Sequence, residues 1–266
     1  MLPKSGGNSK INRVFSIKCI LTLIIKKYYE EFLLLVLWLV ACVVNAQPKG
    51  IWDYPVKQGT DEWKRFQRTE EMVNVCQIPE EVLSSLSTED LTDLCLQYPL
   101  LICVFAFNNT NQGLDQLFHE FNGIRELFKR DDASKELLKR YQAKIQSMSF
   151  LTIPDASGKG NLVVSISIME YLLSRYYSKN DEQDKYKEIL QNLVVGYEKK
   201  AMYVDYFKGT GFETNFFSRA HVIAKMDRSF VERLPHKENN SALYSGMITD
   251  EQTVNIINEL SYQLIK

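Results

Sequence analysis

Apolar residues recur at three- and four-residue steps through most of this chain beyond Asp61, the spacing of helices that bury one face. No stretch alternates convincingly in the way a half-buried strand does. Thr60 is placed to cap a helix beginning DEWKRF, and Thr69 to cap EEMVNVC. Pro79 with Glu80 and Glu81 reads as a first turn, and Ser87 to Asp90 as a capping box with a short acid. The helix started there carries Leu91, Leu94 and Cys95 and ends before Pro99. Leu114, Leu117, Phe118, Phe121, Ile124 and Phe128 form one broad stripe, and Asp131 or Asp132 is placed to cap a partner helix with Leu137, Leu138, Tyr141 and Ile145. Residues 114–147 thus read as a helical hairpin.

Pro154, Gly158 and Gly160 mark a loop in this reading. LVVSISIMEYLLSRYY follows, apolar around most of its circumference and therefore expected at the centre of the domain; its β-branched start keeps a strand open as the alternative. Another helix carries Tyr186, Ile189, Leu190, Leu193, Val194 and Tyr197. Gly209 and Gly211 precede ETNFFSRAHVIAKM, and Thr249 caps a last helix with Val254, Ile257, Leu260 and Leu264 inward. The expectation is an all-α, compact multi-helix domain over residues 47–266, with a short array of helical hairpins as the alternative.

Residues 1–46 read differently. FLLLVLWLVACVV, from Phe32 to Val44, is too short to span a bilayer comfortably and has the length of a signal-peptide core, with Lys26 and Lys27 before it. Val44-Asn45-Ala46 suits cleavage before Gln47. Leu39-Val40-Ala41-Cys42 suits instead a lipobox, with lipid on Cys42. An anchor that is never cut is the third reading. Export follows from any of them: release to the periplasm or exterior, or tethering to a membrane surface. The membrane is met only through the uncleaved segment or a lipid on Cys42.

Charge narrows the partners. Six basic and two acidic residues precede Gln47, so totals of 32 and 33 leave 26 basic and 31 acidic residues in the domain. An acidic domain with no concentrated basic stripe is unsuited to nucleic acid.

Motifs for chemistry are sparse. His119-Glu120 opens like a zinc-protease helix, but Gly123 stands where the second histidine belongs. Cys76, Cys95 and Cys103 match no zinc spacing and read as small buried hydrophobes. Gly158-Lys159-Gly160 lacks the rest of a phosphate loop, and no cofactor is expected. Glu170 is the one catalytic candidate, because it interrupts an apolar helix; a buried carboxylate needs hydrogen bonds or a cation such as an arginine. Tyr203, Tyr206, Phe207 and Phe212, beside flexible glycines, are candidates for a recognition surface, against the plainer role of filling the core.

EEMVNVCQIPEEVL after Trp63, LSTEDL, CLQYP and FNGIRELFKRDDA together resemble a family of exported proteins of Bacteroides-like anaerobic bacteria. The likeness runs from Trp63 through Phe128. It implies a bacterial, exported or surface-tethered helical domain and carries no activity or site residue with it. The expected function is a noncatalytic interaction or scaffold protein of the cell envelope, with a protein or glycan partner. The alternative is a hydrolase whose acid and base come from distant helices, marked by two carboxylates or a cysteine–histidine pair in one concave site.

Overall fold

The computed structural model describes residues 52–108, 110–150, 152–176, 183–235 and 250–266. Cys42, the signal-like run, His236 and Thr249 lie outside them. The described chain from Trp52 is all-α, with no strand. In order come α1 (Thr69–Val75), α2 (Glu80–Ser85), α3 (Thr88–Leu96), α4 (Thr110–Glu120), α5 (Asn122–Leu127) and α6 (Ala133–Gln146). Then follow α7 (Ala156–Arg175), α8 (Gln183–Ala201), the single turn α9 (Val204–Phe207), α10 (Thr210–Met226) and α11 (Glu251–Leu264). No helix among the described residues is long and apolar enough to cross a membrane.

One continuous core runs from Tyr54 to Leu260, so the helices close on a common interior rather than stacking as an array. At its centre α10 packs against both α7 and α8, and α6 covers α7. The apolar segment LVVSISIMEYLLSR is helical, and Ile166 to Ser174 are all buried. Its strand alternative fails because burial on every side suits a central helix.

Local expectations fare unevenly. Ser87 accepts from the Asp90 amide at 3.0 Å as a cap should, and its hydroxyl donates to the Asp90 carboxylate at 2.6 Å. Thr60 accepts from the Trp63 amide, yet only a 3-10 turn (Trp63–Arg65) follows, with no buried residue to hold a longer helix. Thr69 lies inside α1 rather than capping it; the Glu71 carboxylate instead accepts from the Gln67 amide. Gly158 and Gly160 fall within α7, because Asp155 caps the Gly158 amide at 2.7 Å and starts the helix before them.

The stripe from Leu114 to Phe128 is broken into α4 and α5 at Phe121, whose backbone is extended. Asn122 supplies the reason. Its amide group donates to the Ile78 carbonyl at 2.7 Å and accepts from the Ile78 amide at 3.1 Å, while its own backbone N–H donates to the Gln77 side chain. A distant loop thus replaces the helical bonds lost at the break. Phe121 turns inward and stacks on Tyr98, 3.9 Å between ring centres.

Candidate functional site

Glu170 sits on the second turn from the end of α7, where helical spacing leaves no side facing water. Its carboxylate is fully buried and fully engaged. Tyr141 of α6 donates to Oε1 at 2.8 Å, as does Asn215 of α10. Lys200 of α8 donates to Oε2 at 2.6 Å, and the Thr214 hydroxyl to the same oxygen at 2.8 Å. Lys200 is also fully buried and gives a second bond to the Gly211 carbonyl, beside the face of Phe207. Four helices therefore meet on one carboxylate.

The meeting depends on a glycine. A Cβ on Gly196 would stand 1.8 Å from the Tyr141 hydroxyl. Only a bare backbone lets α8 approach closely enough for that hydroxyl to reach Glu170.

Burial pulls the Lys200 ammonium down from its ordinary lysine range, and the adjacent Glu170 pulls it partly back. Burial, then the Glu170 charge, push the Tyr141 phenol well up. Arg219, one turn beyond Asn215, is buried too; burial lowers it to about 10, so it keeps its charge at neutral pH. It donates to Asn258 at 2.9 Å and to Ser261 at 3.3 Å on α11, and lies over the rings of Tyr197 and Phe216.

Glu170 thus has its cation, a lysine rather than the arginine suggested by its chemistry. The sequence reading missed Lys200 and Arg219. Their signal was present: Lys200 falls seven residues after Leu193 on the buried stripe of α8, and Arg219 continues the Phe212–Phe216 stripe of α10. Chemically the cluster is closed. Every Glu170 oxygen is taken and no surface opens on it, so a substrate has no approach.

The recognition aromatics separate. Phe207 is fully buried, a correction to its expected place at the surface: the single turn of α9 folds it against Phe150, under Lys200. Phe212 and Tyr203 are half-buried against the core. Tyr206 alone presents its ring, 42% exposed, stacked parallel on Phe150 at 4.0 Å with the Lys159 ammonium over it. Met202 and Val204 beside it in the chain are 69% and 51% exposed.

Two broad clefts open among the described residues. One, of about 840 Å³, lies between residues 53–58, the end of α3, α6 and the start of α7. The other, of about 810 Å³, is lined by Asp115, His119, Arg175 and His221 among others. There Asp115 pairs with Arg175, and His221 donates from Nδ1 to the Phe217 carbonyl at 3.1 Å. Burial depresses His221 to about 4, so it is neutral at physiological pH. No group of three or more His, Cys, Asp or Glu side chains among the described residues is arranged to hold a metal ion.

Cys76 and Cys95 are buried free thiols, raised by burial, and Cys103 is half-buried. No protein-family model matches the chain, and no curated protein or solved structure is significantly similar to it.

Proposed function

We propose that the chain is a noncatalytic interaction protein of the cell envelope, holding a protein or glycan partner on the apolar ledge formed by Met202, Val204 and Tyr206. The carrying observation is the exposure of these three large side chains within five residues, on a turn whose neighbour Phe207 is sealed in the core. The Phe150 stack holds the Tyr206 ring in place, so little side-chain freedom is lost when a partner covers it. The closed shell around Glu170 supports a structural role for that carboxylate and weakens the hydrolase alternative. Neither cleft pairs a cysteine with a histidine, and the two acids of the larger one are each held by a cation.

The test is cosedimentation of the 47–266 fragment with cell-envelope fractions, alongside binding to arrayed glycans. Met202→Ser/Tyr206→Ser should weaken saturable binding about tenfold, about 1.4 kcal/mol, with the helical fold retained by circular dichroism. Equal binding by the double variant, or none by the wild type, removes the proposal.

A further inference from the structure

The larger cleft has a feature that its role in the fold does not use. Its floor is apolar: Leu96, Leu101, Ile102, Val164, Ile168 and Met169. Ile102 is 43% exposed there, although it belongs to a 3-10 turn (Leu101–Ala106) whose other two branched aliphatic side chains, Leu101 and Val104, are buried. A volume of about 840 Å³ lies within the range of pockets for small organic ligands.

The rim carries charge, and its balance is informative. Asp53 pairs with Lys57 at 2.5 Å, and Asp93 with the Arg140 guanidinium through two bonds of 2.8 and 2.9 Å, a guanidinium shared with Glu136 and, at 3.6 Å, with Glu89. Lys144, in the last turn of α6, lines the same cleft with no acidic partner among the described residues within ion-pair distance. Gln97 and Asn161 line it as well, with side-chain amides that bond to no other described residue. An unpaired ammonium and two uncommitted amides thus line one cleft with an oily floor. That arrangement fits a ligand with an apolar tail and a single anionic head.

We infer that this cleft binds an anionic amphiphile, a carboxylate on an acyl chain, with the chain along the Ile102–Ile168 floor and the head at Lys144. A cationic head of equal length would meet Lys144 as a like charge. A compact anion without a tail would leave the floor in water. The inference is independent of the ledge at Tyr206, whose double variant leaves this cleft intact.

The experiment is titration of the 47–266 fragment, which carries the whole described core, with dodecanoate below its micellar concentration, followed by calorimetry. Circular dichroism of each protein checks its fold. Dodecanoate should bind saturably at one site, with octanoate and dodecyltrimethylammonium each weaker by roughly tenfold or more. Lys144→Glu should weaken dodecanoate by roughly tenfold, while Lys135→Glu, an equal charge change outside the cleft, leaves it unchanged. Ile102→Glu, at a position exposed enough to accept a charge, should weaken it comparably. The inference is overturned by absent saturation, by equal binding of the cationic amphiphile, by indifference to Lys144→Glu, or by tighter capture of a short acidic peptide than of dodecanoate.

Discussion

Lys200 and Glu170 have side chains with no solvent contact at all, so neither can be removed without stranding the other. Lys200→Met leaves a carboxylate with only neutral donors around it and should cost about 3–5 kcal/mol in urea denaturation. Glu170→Met/Lys200→Met should be milder than the sum of the single changes, because it removes both charges together. Strict additivity would show that the two side chains do not interact. Arg219 is a different case: it has no carboxylate among the described residues in hydrogen-bond reach and is held by the faces of Tyr197 and Phe216 and by the neutral Asn258 and Ser261. At this scale the sequence identified the odd carboxylate but could not name its partners. Tyr141, Lys200, Thr214 and Asn215 lie 29 to 45 residues away in the chain, and only packing brings them together.

Helix limits follow two rules here. Where a side chain one turn away satisfies the first amides, as Ser87 does, the end was legible locally; Asp155 caps α7 in the same way, but Gly158 and Gly160 made its first turn read as a loop. Where the partner is remote, it was not: the break between α4 and α5 rests on the loop at Gln77 and Ile78. Asp132 shows the same effect, for it begins α6 without capping it and instead accepts from the Thr88 hydroxyl at 2.8 Å. The consequence is measurable. Ser87→Ala should cost about 1 kcal/mol, the usual loss of a cap. Asn122→Ala should cost more, about 2–3 kcal/mol, since it strands the Ile78 amide and carbonyl as well as removing the bonds. Urea midpoints of the two variants, compared at equal slope, decide the order.

Across the whole molecule, packing also sets a pH response. His221 titrates near 4 when folded against an ordinary value of 6.5, because burial disfavours its cation, with Lys225 and Arg175 adding like charge nearby. Between those values the unfolded chain takes up a proton that the folded chain refuses. The stability associated with His221 is therefore complete above pH 6.5 and is lost as pH falls toward 4. Its size is about 2 kcal/mol once partial exposure is allowed for. His221→Gln should flatten the fall in stability between pH 7 and pH 4 by about that amount; an unaltered fall would place the response in other groups. The position of His221 on α10 was readable from the sequence, but its depressed affinity was not, since the burial that causes it, and the charge of Arg175, come from other parts of the fold. Phe217 and Lys225 stand one turn away on the same helix, and the Phe217 carbonyl acts in the opposite sense.

The spacing of apolar residues alone was enough to specify a helical chain and most of its inward faces, because a 3.6-residue period allows only one way to gather those side chains away from water. It also marked Glu170 as an intruder. What required the folded molecule was every relation between distant segments: the lysine beside Glu170, the break at Phe121, the inward turn of Phe207, and the cleft beneath Lys144. Periodicity records which side of a helix is dry, whereas the identity of the neighbour on that side depends on how the helices cross.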